Sequence, residues 1–125
     1  MTTSINLFRN DANPIAVPAR SAVFRDGDAG DWMFGIIDGE IGIVKEGVLI
    51  ETIGPGGIIG EMALIDNSAR SADAVALTDA RLSLIDKRRF EHLVANHPTF
   101  ALQVMRVMAE RLRRANEQRV PPRPS

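Results

Sequence analysis

The sequence contains no cysteine and no tyrosine, and its 125 residues include one tryptophan and two histidines. The absence of cysteine excludes disulfides, thiolate catalysis and cysteine-ligated zinc or iron–sulfur sites. Nowhere do about 18 apolar residues follow one another, so no membrane-spanning helix is predicted. The first 20 residues also lack the continuous apolar stretch of a signal peptide. We therefore expect a cytoplasmic protein.

An excess of charge of either sign is missing as well, because 15 basic residues balance 16 acidic ones and the net charge is −1. The chain as a whole has no electrostatic attraction to nucleic acid or to an anionic membrane. Its 125 residues suffice for one domain, and an apolar content of 45% lets that domain bury a core. We expect no second folded domain.

Short apolar runs alternate with glycine, proline and aspartate between residues 14 and 86, which is typical of short strands joined by tight turns. The pair Asp38-Gly39 predicts a hairpin, because glycine accepts a positive φ without a Cβ clash. An all-β sandwich or barrel follows. The predicted strands cover residues 22–24, 32–37, 40–45, 48–53, 73–77 and 81–86.

Beyond residue 86 the apolar spacing changes to three and four, which predicts helices over residues 87–96 and 99–118. Two adjacent apolar faces run along the second helix. One contains Phe100, Val104 and Val107, and the other contains Ala101, Met105, Met108, Leu112 and Ala115. Since one face can pack on the β-region while the other meets a second copy, we predict a homodimer through this helix. The alternative is a helix that lies wholly on its own domain.

The predicted domain covers residues 14–118, with the β-region at 14–86 and the two helices at 87–118. Residues 1–13 are predicted to form a short helix or to be disordered. Residues 119–125 are rich in proline, which cannot continue a helix, and are predicted to be a disordered tail.

A carboxylate and a guanidinium, Glu61 and Arg70, flank a short apolar turn that follows a glycine-rich approach. A carboxylate accepts a hydrogen bond from a sugar hydroxyl and a guanidinium binds a phosphate with two N–H groups. Each such charge-assisted bond contributes about 1.5–3 kcal/mol. The small residues Gly60, Ser71 and Ala72 stand beside these two charges. The pattern suits a small ligand that carries both hydroxyls and a phosphate.

The segment from Gly60 to Ala72 resembles the phosphate-binding cassette of cyclic nucleotide-binding domains, as found in the catabolite activator protein family and in kinase regulatory subunits. The run from Phe24 to Phe34, followed by Gly39 and Gly57, is similar to the glycine framework of that family. The resemblance implies a mainly β fold with flanking helices. That fold is an eight-stranded β-roll of jelly-roll topology with a short helix in the cassette and two C-terminal helices.

The resemblance also implies a role for each residue of the cassette. Glu61 matches the glutamate that accepts the ribose 2′-hydroxyl, and Arg70 matches the arginine that pairs with the cyclic phosphate. The Ser71 hydroxyl could bond the phosphate or a purine amino group, and free backbone N–H groups of the short helix could face the phosphate. The predicted ligand-binding residues are Gly60, Glu61, Met62, Ala63, Arg70, Ser71 and Ala72.

The sequence departs from the family pattern before the arginine and after the last helix. Ala69 stands where many relatives have proline, so we expect a less rigid arginine loop and modestly weaker binding. The regulators of the family continue into a helix-turn-helix, whereas this sequence ends at Ser125. We therefore expect no sequence-specific DNA binding from this chain.

A further departure concerns the nucleotide base. The positions that match the base-contacting pair of the dimer helix are Ala115 and Asn116, and only Asn116 is polar. Arg111 or Arg114 could instead contact the base by stacking on it.

The favoured hypothesis is a non-enzymatic sensor without a cofactor that binds cAMP, or alternatively cGMP, and signals through its C-terminal helices. A ligand-free β-roll that mediates dimerisation or protein interaction is the main alternative. A second alternative is a regulatory subunit whose effector is a separate protein. A cupin-like metalloenzyme is the third, but His92 and His97 are far in sequence from the β-region, so no metal site is predicted.

Overall fold

The computed structural model describes residues 5 and 7–119, with side chains to residue 117. In this part of the chain there are eight strands and three helices. The strands are β1 (Ile15–Val17), β2 (Ala22–Phe24), β3 (Trp32–Asp38), β4 (Ile41–Lys45), β5 (Val48–Ile53), β6 (Ile58–Ile59), β7 (Asp73–Ala76) and β8 (Ala80–Asp86). The helices are α1 (Glu61–Asp66), α2 (Lys87–Asn96) and α3 (Pro98–Arg119). Residues 120–125 of the predicted tail, and residues 1–4 and 6 of the N-terminal segment, lie outside the described residues.

The strands form two antiparallel four-stranded sheets. Their strand orders are β1-β8-β3-β6 and β2-β7-β4-β5. Only β4 and β5 pair as sequence neighbours, so the chain repeatedly crosses from one sheet to the other, as in a jelly roll. The hairpin predicted at Asp38-Gly39 is therefore wrong: the chain turns there, but β3 and β4 enter different sheets and do not pair. The predicted mainly β fold, an eight-stranded roll with C-terminal helices, is confirmed.

Sequence periodicity located most of these elements closely. The bounds of β2, β5 and α2 match the predicted ranges, and the other predicted elements differ by one residue at one or both ends. The strands β1 and β6 were not predicted. They have three and two residues, too few for an alternating pattern to be visible, and they are strands because they pair with β8 and β3.

Two apolar clusters lie on opposite faces of β3. Met33 packs with residues of α2 and α3, whereas Phe34 packs in the space between the two sheets. Successive side chains of a strand point to opposite faces, so both faces of β3 are buried. On α3, Phe100, Val104 and Val107 are buried against the roll, as the sequence predicted.

The segment before β1 takes part in the core. Residues 7–10 form a turn, and Phe8 is buried with its ring edge-on to Phe100 at a centroid distance of 5.8 Å. The Asp11 carboxylate accepts a hydrogen bond from the buried Ser83 hydroxyl, which lowers the pKa of Asp11. These contacts fix the entry of the chain against β8 and α3.

Gly35 of β3 faces the Phe8 ring so closely that a Cβ would lie under 3.0 Å from three ring atoms. We expect Gly35→Ala to displace Phe8 and to lower the free energy of unfolding by about 1–3 kcal/mol, as overpacking does. Chemical denaturation measures this loss. Gly54→Ala is the matched control, because a Cβ at Gly54 meets nothing within 4 Å. Equal stability of the two variants would contradict the prediction.

Candidate functional site

The cassette helix α1 begins directly after β6, at a glycine with left-handed backbone. Gly60 has a φ of 79° and its carbonyl oxygen accepts a hydrogen bond from Arg70 Nη1 at 2.9 Å. A Cβ on Gly60 would lie under 3.0 Å from that same nitrogen. Glycine therefore serves two purposes at position 60: it accepts the positive φ and it lets the guanidinium approach the backbone.

The Arg70 side chain is buried, with 4% of the residue exposed. Its Nη2 donates to the carbonyl oxygen of Trp32, and its Cζ lies 4.2 Å from the centre of the Phe24 ring. Burial lowers the pKa of Arg70, while Asp31 and Asp28 act in the opposite direction through space. Among the described residues no carboxylate forms an ion pair with Arg70, and the buried Nε has no hydrogen-bond partner. A buried cation in this state attracts an anion.

The loop that carries Arg70 is fixed by backbone pairing. The Arg70 backbone N–H donates to the carbonyl oxygen of Asp28 at 2.8 Å, and the Arg70 carbonyl oxygen accepts from the backbone N–H of Gly27 at 2.8 Å. Ala69 forms an antiparallel bridge with Ala29. The turn between β2 and β3 thus holds the arginine loop from one side.

The Glu61 carboxylate is paired with the C-terminal helix. Glu61 is 1% exposed, and its Oε1 accepts a hydrogen bond from Arg111 Nη1. Arg111 Nη2 donates to the Ile58 carbonyl at 2.5 Å. Burial lowers the pKa of Arg111 and the Glu51 carboxylate opposes this shift. The ion pair between Arg111 and the buried Glu61 carboxylate therefore attaches α3 to the cassette helix α1.

A second carboxylate, Glu51 of β5, lies beside this pair. Its Oε2 is 2.9 Å from Arg114 Nη2, and its Oε1 is 3.8 Å from Arg111 Nε. Two arginines of α3 thus face two glutamates of the roll. The predicted stacking residues Arg111 and Arg114 both lie at this place, but with their N–H groups directed to carboxylates and a carbonyl.

These residues surround a cavity with a volume of about 160 Å³. All seven predicted ligand-binding residues line it, and so does Arg111. Arg114 pairs with Glu51 but does not line the cavity, and Asn116 is exposed on α3 and does not line it either. The structure brings the predicted residues together, while their individual roles stay a prediction.

Several lining residues were missed from the sequence, above all Glu51. The alternation of side chains on β5 could have located Glu51. It lies two residues before the buried Ile53 and therefore on the same, inward face of the strand. Phe24 and Ile43 were missed for a different reason. They are apolar strand residues, which the sequence cannot distinguish from the rest of the core.

The described part of the chain shows neither a metal-binding group of side chains nor a membrane-spanning helix. In residues 5 and 7–119 no three histidine, aspartate or glutamate side chains are grouped so that they could hold a metal ion. None of the described helices has the length and apolar character needed to cross a bilayer.

A family model described as the cyclic nucleotide-binding domain matches residues 14–97, which is most of the described chain. The chain belongs to this family. The match includes both sheets of the roll, the cassette and α2.

Proteins similar to this cyclic nucleotide-binding domain include a transcriptional regulator and a catabolite activator protein. The CRP-like cAMP-activated global transcriptional regulator of Mycobacterium tuberculosis is 29% identical over 119 residues, covering 91% of this chain and 53% of the regulator. The crystal structure of Thermus thermophilus catabolite activator protein has a TM-score of 0.76 and 28% identity, covering 85% of this chain and 52% of that one. The chain thus spans about half the length of these relatives.

Solved structures with a nucleotide bound are also similar. The EAL enzyme Bd1971 in its cGMP-bound form has a TM-score of 0.64 and 34% identity, covering 85% of this chain and 30% of the enzyme. Its cAMP-bound form has a TM-score of 0.63 and 35% identity, covering 85% of this chain and 29% of the enzyme. Cyclic nucleotide-binding domains thus occur as parts of proteins with different activities.

The pairing of Arg111 with Glu61 predicts a strong energetic coupling. Arg111→Met leaves a buried carboxylate without its cation, so we expect the free energy of unfolding to fall by about 3–5 kcal/mol. Combining it with Glu61→Gln removes the uncompensated charge, and the double variant should lose less than the sum of the two single losses. Denaturant unfolding of the four proteins measures the coupling.

Arg113→Met is the matched control for this cycle, because Arg113 is exposed on the same helix. Its free energy of unfolding should change by no more than about 0.5 kcal/mol. Strictly additive losses for the Arg111 and Glu61 variants would show that the ion pair does not couple α3 to the cassette.

Proposed function

We propose that this domain is a non-enzymatic sensor that binds a 3′,5′-cyclic nucleotide, cAMP or cGMP, in the cavity beside α1. The observation that carries the proposal is the buried Arg70 guanidinium, which lacks an ion-paired carboxylate among the described residues. A cyclic phosphate supplies one negative charge and free oxygen acceptors. It would compensate the charge of Arg70 without placing a further carboxylate in the core.

The other polar groups of the cavity fit the sugar of the same ligand. Glu61 lies next to Gly60, whose carbonyl binds Arg70, so the carboxylate and the guanidinium are close enough for one small ligand. Glu61 would accept a ribose hydroxyl while Arg70 binds the phosphate. Relatives described as cAMP-activated or solved with cAMP or cGMP bound support this class of ligand.

A mechanism of signalling follows from the position of Arg111. In the structure Arg111 pairs with Glu61, the carboxylate that the ribose would use. A ligand in the cavity therefore changes the contacts that hold α3 on the roll. If it interacts differently with the attached and the released positions of α3, occupancy shifts the equilibrium between them. The proposed output is the position of α3, acting on a second copy or on a separate effector protein.

Calorimetric titration with cAMP, cGMP and 5′-AMP tests the ligand class. We expect binding of at least one cyclic nucleotide and no binding of 5′-AMP. Arg70→Lys retains the positive charge but loses the bidentate hydrogen bonding of the guanidinium, and Arg70→Met loses both the charge and the hydrogen bonds. The second change should weaken binding by about 1.5–3 kcal/mol, which is a factor of roughly 10 to 150.

Arg25→Met is the control, since Arg25 is exposed at the neighbouring turn. Thermal unfolding gives a second readout that needs no heat of binding. Ligand at 100 times its dissociation constant should add about 2.7 kcal/mol of stability. If the unaltered protein shows neither heat nor stabilisation with cAMP and with cGMP, the proposal is wrong and a ligand-free interaction module is the better description.

The proposed partner of α3 is a second copy of the chain. Met105 and Leu112 of the predicted apolar stripe are 57% and 63% exposed and lie on the side of α3 that does not contact the roll, whereas Met108 of that stripe packs against the core. An apolar stripe of this kind is stabilised by an equivalent stripe in a parallel pair of helices.

Sedimentation analysis tests the dimer. We expect the unaltered chain to sediment as a dimer, and Met105→Glu with Leu112→Glu to sediment as a monomer, because each introduces a charge into the apolar stripe. Arg113→Glu alters charge on the same helix outside the stripe and should leave the dimer intact. A monomer at all concentrations for the unaltered chain would disprove the dimer without affecting nucleotide binding by the roll.

A further inference from the structure

The end of the cavity beyond Glu61 contains a carboxylate that the proposed phosphate and ribose contacts do not use. Glu51 belongs to β5 and lines the same cavity as Arg70 and Glu61. It is paired in register with Ile43, another lining residue, and is followed two residues later by the buried Ile53. Its surroundings on the strand are therefore apolar, and the carboxylate is the polar group that β5 offers to a ligand.

The order of contacts along the cavity places the base of a nucleotide near this carboxylate. In a cyclic nucleotide the base is attached to the ribose carbon next to the one that carries the 2′-hydroxyl, on the far side from the phosphate. With the phosphate at Arg70 and the hydroxyl at Glu61, the base lies beyond Glu61. The residues found there are Arg111, which contacts Glu61, and Glu51, which neighbours Arg111.

The hydrogen-bonding capacity of Glu51 is not used up by the helix. Arg114 Nη2 pairs with Oε2 of Glu51 at 2.9 Å. In contrast, Oε1 of Glu51 is 3.8 Å from Arg111 Nε, which is beyond hydrogen-bond distance. Arg111 directs its two terminal nitrogens to Glu61 and to the Ile58 carbonyl. A carboxylate has about four acceptor positions, so Glu51 retains acceptors for a ligand.

A carboxylate at this place discriminates between the two purines. Guanine presents two adjacent donors, its N1–H and its 2-amino group, which match the two oxygens of a carboxylate. Adenine presents one donor, its 6-amino group, beside N1, which is an acceptor and repels a carboxylate oxygen. A site built to accept hydrogen bonds rejects a ligand that cannot donate them.

We propose that Glu51 is a specificity-determining residue that selects guanine, so that cGMP is the preferred ligand of this domain. The inference rests on the proposed cyclic nucleotide function and adds the base to it. Arg114 holds the Glu51 side chain in position.

Calorimetric titration of the whole chain with cGMP, cAMP and inosine 3′,5′-cyclic monophosphate tests the proposal. We expect cGMP to bind about 10- to 100-fold more tightly than cAMP, as a two-bond base contact provides. The inosine compound keeps the N1–H but lacks the 2-amino group, so its affinity should lie between the two.

The variant Glu51→Gln separates a base contact from a structural ion pair. A glutamine amide offers one acceptor and one donor, which match the 6-amino group and N1 of adenine. We expect cGMP affinity to fall about 10-fold or more, while cAMP affinity is maintained or rises. Glu46→Gln is the control, because it removes the same charge from an exposed position of the same hairpin.

The outcomes separate failure of the proposed cyclic nucleotide function from failure of the proposed role of Glu51. If neither cyclic nucleotide binds the unaltered protein, the proposed function and this inference both fail. If both bind with equal affinity, if cAMP is preferred, or if Glu51→Gln weakens both by the same factor, the function stands and the role of Glu51 is disproved. A loss of cGMP affinity alone, with an unchanged melting temperature of the unliganded variant, supports it.

Discussion

The burial of one guanidinium organises this end of the domain. Arg70 is attached to the backbone at Gly60 and Trp32 and lies over the Phe24 ring, so one side chain links the cassette to β3 and β2. Both of its bonded partners are neutral carbonyl oxygens, which satisfy N–H groups but do not balance the charge. The part of the cavity next to a positive charge held in this way favours an anion. The left-handed glycine and the paired arginine loop follow from the need to bring that cation so close to the backbone.

Much of the fold could be predicted because the sequence repeats the same local signals. Glycine and aspartate mark most of the connections between strands, and the change from short runs to a spacing of three and four marks the start of α2. The strands β1 and β6 could not be predicted, since their few residues are extended only because β8 and β3 lie beside them. Phe8 could not be placed either, because nothing local to it indicates that Gly35 and Phe100 form its pocket.

The site was predictable to the extent that its chemistry is contained in one stretch of sequence. Glu61 and Arg70 stand in the cassette with their small neighbours, and all line the cavity. The partners from elsewhere in the chain were not predictable in the same way. Arg111 was expected to stack on a base, but that its N–H groups bind Glu61 depends on how α3 packs on the roll. Glu51 was overlooked because its alternation with Ile53 places it on the inner face of β5 but does not by itself indicate a ligand site.

The position of Trp32 gives the molecule a natural optical reporter. It is the single tryptophan of a sequence without tyrosine, its backbone carbonyl binds Arg70, and its side chain is 44% exposed. Indole emission depends on the polarity around the ring, and no other residue contributes strongly to it. An event at the buried guanidinium that shifts the Trp32 backbone, and with it the half-exposed ring, would therefore be visible in the fluorescence of the unlabelled protein.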